Sequence, residues 1–174
     1  VIGHENCKDI YSRHGQEVKT FESSFTFDFE GHLVFCMAYT GGHSECDIMT
    51  LIPDLNLAYL GDLYLSESFP LVVVGAGSKA ETLVSHLNEI YQSLPEETML
   101  FPGHGKETTM EYLGGYIAIL EETIEIVRKK MKSGKSLQEI QAADVLKKWG
   151  KWGQFFPFIT KDSWIEQIYL SYSK

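Results

Sequence analysis

At 174 residues, with 44% hydrophobic residues and a formal net charge of −9, the chain is long enough for one core of ordinary size. Its acidity argues against a nucleic-acid partner, whose phosphates require a basic face, and no apolar run reaches the roughly 18 residues of a transmembrane helix. Cys7, Cys36 and Cys46 are three in number and show no C-x-x-C spacing, so they predict neither a disulfide framework nor a zinc knuckle.

The chain opens on Val1-Ile2-Gly3-His4-Glu5, an apolar, strand-like start with no initiator Met and no signal-peptide pattern, which reads as a piece of something longer. Phe25-Thr26-Phe27-Asp28-Phe29 alternates with period two, Glu30-Gly31-His32 is a turn signal, and Leu33 to Tyr39 resumes as an apolar run, predicting a β-hairpin. Asp47 to Ile52 and Leu57 to Leu60 flank Pro53-Asp54-Leu55-Asn56 and predict a second one. A helix is expected from Ser78, as cap, to Ser93, with Leu83, Leu87, Ile90 and Tyr91 on one face, and a short strand over Met99 to Phe101. From about residue 107 the pattern is helical. A long helix opens at Thr108 or Thr109 and runs to about Lys132, a second runs from Ser136 to about Trp149, and a third starts behind Asp162 and ends near Tyr172. There is no internal repeat or linker, so residues 1–174 read as a single domain.

Three segments share one pattern: an apolar run, then glycine, then a side chain that can bind metal. They end in His43, Asp62 and His104. A residue just past a strand end lies at the rim of its sheet, and glycine there lets the backbone turn sharply. If the three strands run the same way in one sheet, the three side chains meet at one edge. Two imidazoles and a carboxylate suit zinc, with iron or manganese as second choices. The other histidines, His4, His14, His32 and His86, lack this framing and read as surface or hydrogen-bonded residues. Cys46, three residues after His43, reads as a small buried hydrophobe, with a metal ligand as the alternative, and Asp47 as a turn cap or a hydrogen-bond partner of a ligand. The aromatic stretch Trp149 to Phe158 reads as packing among the C-terminal helices, with a substrate cleft or a subunit contact as alternatives.

In their order and gaps, Tyr39-Thr40-Gly41-Gly42-His43-Ser44, Tyr59-Leu60-Gly61-Asp62-Leu63 and Phe101-Pro102-Gly103-His104-Gly105 resemble the second half of the metallo-β-lactamase superfamily, which carries G-H-[ST], G-D-[LT] and P-G-H-G segments. The resemblance implies an α/β fold, an αββα sandwich of which this chain supplies the C-terminal half: a mixed sheet with helices packed on one outer face. It implies a dinuclear metal site, with His43 completing the first position, Asp62 bridging both and also serving catalysis by orienting the nucleophile, and His104 at the second. The superfamily's H-x-H-x-D-H signature is absent from these 174 residues, and the chain is expected to begin just after it. The resemblance thus implies a zinc-dependent hydrolase, two metals per intact protein, acting on a small-molecule ester, thioester or lactam, with weak metal binding by this portion alone. The alternative is a non-catalytic scaffold or interaction domain of the same fold. A sheet face left bare by a missing half also predicts a homodimer or another covering partner.

Overall fold

The computed structural model describes residues 1–13, 15, 17–152 and 156–173; His14 and the Gly153-Gln154-Phe155 part of the aromatic stretch lie outside the described residues. The central element is a six-stranded sheet in sequential order: β3 (Ser24–Phe29), β4 (His32–Ala38), β5 (Ile48–Ile52), β6 (Leu57–Leu65), β7 (Met99–His104) and β8 (Thr108–Thr109). Every neighbouring pair is antiparallel except β6 and β7, which are parallel. Parallel strands need a crossover, and here α2 (Ala80–Ser93) lies between them in sequence. It follows that β4, β6 and β7 share one direction, and the chain leaves all three at the same end of the sheet.

Helices α2, α3 (Met110–Lys132) and α5 (Lys161–Tyr172) share a single core with one sheet face. Met49, Ala58, Leu60 and Leu100 from the strands meet Leu87, Leu113, Leu120 and Trp164 from the helices. The indole Nε1–H of Trp164 donates to Thr123 Oγ1 (2.9 Å), so the largest buried side chain keeps its polar atom satisfied. The short α4 (Leu137–Ala142) follows, with a reciprocal capping box between Ser136 and Glu139. The architecture is that of a mixed α/β sheet with its helices on one face.

Strand alternation and register put Phe25, Phe27, Val34, Cys36, Ile52 and Leu57 on the opposite face, with Tyr59 and Phe101 stacked at 4.7 Å between ring centroids. Apart from Thr50 and His32 this face is apolar from β3 to β7. At one end Val34 and Cys36 are buried beneath Phe21 of a second, two-stranded parallel sheet, β1 (Ile2–His4) with β2 (Lys19–Phe21). At the other end Tyr59 and Met99 remain 42% and 37% exposed.

Several local expectations are corrected. β6 does not stop at Leu60: Gly61 adopts φ +52°, the register with β7 shifts there, and the strand continues to Leu65. A glycine in the left-handed region kinks a strand without ending it. Asp62 is therefore inside a bulged strand rather than on a rim loop. α2 starts at Ala80, without a side-chain cap from its own N-terminus. The helix expected over 136–149 ends at Ala142, because Asp144 takes a left-handed conformation (φ +48°). α5 is capped by Thr160, in a box with Ser163, rather than by Asp162.

The cysteine reading is also corrected: Cys7 and Cys46 form a disulfide across a sequence separation of 39, and only Cys36 is free. Cys7 precedes α1 (Lys8–Arg13), and Asn6 Nδ2 donates to Glu45 O beside it (3.0 Å). Cys46 is thus a tether to the N-terminal segment and not a buried hydrophobe. Reduction with dithiothreitol is expected to lower stability by roughly 2–4 kcal/mol, the range for closing a loop of this length. Chemical denaturation with and without the reductant measures it, with Cys7→Ser/Cys46→Ser as the permanent equivalent.

Candidate functional site

The site is assembled where β4, β6 and β7 end. His43 lies in the β4–β5 loop, Asp62 just past the Gly61 bulge in β6, and His104 at the last residue of β7. The structure brings the three together: His43 Nε2 is 3.7 Å from Asp62 Oδ2, and His104 Nε2 is 3.5 Å from Asp62 Oδ1. The carboxylate lies between two imidazoles, each facing a different oxygen. The His43 side chain is 14% exposed, against 38% for Asp62 and 44% for His104.

Each side chain is held by its own local device. The His43 loop is closed by Tyr39 N donating to Asp47 O (2.9 Å) and Gly41 N to Ser44 O (2.7 Å). Within it the Asp47 carboxylate accepts from Ser44 N (2.6 Å) and Ser44 Oγ (2.8 Å). Burial pushes the Asp47 carboxyl above the usual range, and the Ser44 bonds partly offset this. His43 Nδ1 lies 2.7 Å from Leu71 O, an atom that can only accept. Nδ1 therefore carries a proton, and Nε2 is the ring nitrogen turned toward Asp62. Asp62 is framed by Gly103: a Cβ on Gly103 would overlap Asp62 Oδ1 and lie 2.7 Å from Gly61 C and 2.9 Å from Asp62 N. His104 is packed edge-on against Phe156, ring centroids 4.8 Å apart, so the aromatic stretch reaches the site. Elsewhere among the described residues of that stretch, Trp149 is buried and Trp152 stacks on Tyr116 and meets Phe69 edge-on, whereas Phe158 is 59% exposed.

Of the remaining described histidines, His4 and His32 lie elsewhere, and His86 packs behind the His43 loop, where a Cβ on Gly42 would lie 3.1 Å from its Nδ1. His4 is buried, accepting from Asn6 N at Nδ1 and donating from Nε2 to Glu22 O. His32 pairs with Asp54 at 2.5 Å on the surface. His86 packs edge-on against Tyr39, and burial lowers its pKa.

The donors suit a metal pair only in part. A carboxylate with an imidazole on each oxygen has the form of a bridge, and a carbonyl behind His43 is the usual orienting partner of a ligating histidine. Yet three ligands over two positions leave two at each, where zinc takes three or four. Among the described residues no group of three or more His, Cys, Asp or Glu side chains is arranged to hold one ion.

Comparison with known proteins follows the same line. No family profile matches the chain. YqgX of Bacillus subtilis (strain 168), described as a probable metallo-hydrolase, is 31% identical over 70 residues, 40% of this chain and 33% of its own length. Among solved structures, the metallo-β-lactamase from Pontibacter korlensis superposes with a TM-score of 0.55 at 17% identity, over 70% of this chain and 57% of that one. The chain has a metallo-β-lactamase superfamily fold. The TMB-1 structure (TM-score 0.56, 23% identity) is covered to 56%, and the sec-alkylsulfatase Pisa1 from Pseudomonas sp. (0.63, 13%) to 26% although it takes in 88% of this chain. The chain thus spans about a third of the curated relative and little more than half of the Pontibacter korlensis and TMB-1 structures. The superfamily resemblance is of hydrolase type.

Leu71 O escapes a sequence reading because a main-chain acceptor has no residue signature, whereas Asp47 caps the turn at Ser44, one of the two roles its sequence position offered. The Gly103 contact yields a direct expectation. Gly103→Ala should destabilise the fold by about 1–3 kcal/mol through overpacking against Asp62. Gly115→Ala, in α3 with nothing within 4 Å of the added carbon, should instead stabilise by roughly 0.5–1 kcal/mol. Urea melts of the two variants beside the parent check both signs.

Proposed function

We propose that this chain is the C-terminal part of a metal-dependent hydrolase, acting on an ester, thioester, lactam or similar small substrate. The observation that carries the reading is the Asp62 carboxylate between His43 Nε2 and His104 Nε2 at the common end of three co-directional strands. His43 and Asp62 would serve one zinc position, and Asp62 and His104 the other, with further ligands from a segment outside the chain. When bound, such a metal pair supplies a water acidic enough to react near neutral pH and positive charge for the developing oxyanion. The chain's own residues do the rest. Asp62 holds the attacking water in line through its carboxylate oxygens. His43 stays in one tautomer because Leu71 O accepts its Nδ1–H. Phe156 supports one side of the His104 ring by its edge-on contact. The acidic net charge favours a small substrate over a polynucleotide, and no helix is long and apolar enough to cross a membrane among the described residues.

A second reading has its own support, since no three-ligand group is arranged for one ion among the described residues. On that reading the chain is a scaffold or interaction domain that retains the fold. An H-x-H-x-D-H segment encoded shortly before Val1 favours the hydrolase; its absence there favours the scaffold. On either reading the apolar face bearing Tyr59 and Phe101 is covered in the assembled protein, by further chain or by a second copy.

Two outcomes are expected. Dialysed against buffer, the 174-residue chain should retain little zinc by elemental analysis, because two ligands per position bind no better than about micromolar. In the intact protein Asp62→Ala and His104→Ala should each reduce kcat by roughly 10²-fold or more, while circular dichroism stays that of the parent. Activity within a few-fold of the parent in either variant would remove the hydrolytic role from these residues.

A further inference from the structure

The segment 66–79, between β6 and α2, packs against the loop that carries His43, and three hydrogen bonds join the two. His43 Nδ1–H donates to Leu71 O (2.7 Å), Val73 N donates to His43 O (2.9 Å) and Lys79 N donates to Gly41 O (2.9 Å). The segment is held from behind by α5. Gln167, one of the few polar side chains buried in the molecule, accepts from Val72 N at Oε1 (2.6 Å), across 95 residues of sequence. One turn further on, Ser171 Oγ accepts from Ala80 N (3.0 Å), which is how the start of α2 is satisfied.

Val72 lies between the two residues that clamp His43. The Leu71 carbonyl accepts from the imidazole Nδ1–H, and Val73 N–H donates to the His43 main-chain carbonyl. A hydrogen bond weakens steeply as distance and angle depart from ideal, so the His43 ring is only as well set as the Leu71 carbonyl. Without that acceptor a neutral imidazole can carry its proton on Nε2, the atom that faces Asp62. A buried side chain with one short bond to a main-chain N–H is suited to fixing such a peptide, because breaking the bond strands both partners.

We propose that Gln167 is a positioning residue of the site: by holding Val72 it fixes the Leu71 carbonyl, and through it the tautomer and orientation of His43. The C-terminal helix is then part of the site's machinery as well as of the core. The consequence for metal affinity rests on the reading of His43 as a ligand; the consequence for the tautomer does not.

Nitrogen-15 NMR of the imidazoles, amide exchange at Val72 and zinc titration of the whole metal-free chain test this in three forms: parent, Gln167→Met and Gln167→Glu. Methionine keeps the length and loses the acceptor, and glutamate keeps an oxygen in place. The parent and Gln167→Glu should show the His43 Nδ1 proton in place on Leu71 O. Gln167→Met should show a population in which Nδ1 has lost it, with faster Val72 exchange and a zinc dissociation constant raised roughly tenfold, as for other partners behind ligating histidines. An unchanged His43 tautomer in Gln167→Met overturns the proposal. A shifted tautomer with zinc affinity unaltered, or with no zinc bound by any form, upholds the positioning role and removes the ligand reading instead. If Gln167→Met does not fold, Gln167→Asn withdraws the acceptor by one methylene and should shift the tautomer in the same way; no shift there overturns the proposal equally.

Discussion

The parallel pairing of β6 with β7 is the constraint on which the rest depends. Antiparallel neighbours alternate in direction, so an all-antiparallel meander would carry His43 and Asp62 to one end of the sheet and His104 to the other. One parallel pair, with α2 between its strands in sequence, reverses that last step and brings the end of β7 beside the bulge of β6. The pairing also demands close backbone approach. Gly103 has no side chain where Asp62 needs room, and Gly61 bends β6 so that Asp62 turns toward the histidines while Leu63 and Leu65 return to the core. Two glycines on facing strands thus do one job, from opposite sides of a single contact.

Around that contact the supports are layered by distance in sequence. Asp47 and Ser44 act within the His43 loop. Leu71 and Val73 act from about thirty residues on, and Gln167 from nearly a hundred further. The Cys7–Cys46 disulfide and the Asn6–Glu45 bond hold the same loop from the N-terminal side. His43, the least exposed of the three, receives most of this support; Asp62 relies on its strand, and His104 on β7 and the Phe156 ring. Rigid presentation of a single lone pair is what a histidine in a polar site requires of its surroundings.

Periodicity in the sequence was enough to find both hairpins, the long helix behind Thr109 and the three glycine-framed side chains, because each depends on neighbours within a few residues. What it missed depends on distant partners or on single backbone conformations. Gly61-Asp62 resembles a turn, and only the ladder with β7 shows that the strand continues. The apolar spacing after Ser136 suits a helix to Trp149, yet Asp144 in the left-handed region ends it early and sends Leu146 into the core. Cys7 and Cys46 look unrelated until the N-terminal segment folds over the His43 loop. Gln167 is one more polar residue on an amphipathic helix until α5 docks and turns it toward Val72.

The two margins of the sheet differ in length. At the β7 side, β8 is two residues long and turns at once into α3, so little unpaired backbone is left there. At the other side β3 offers six residues, Ser24 to Phe29, and among the described residues it has no strand partner beyond β4. A strand added from outside has a long template of open amide and carbonyl groups on one margin and almost none on the other. Any strand added to this sheet would therefore pair with β3, on the margin away from His43 and His104, and widen the sheet without entering its polar end.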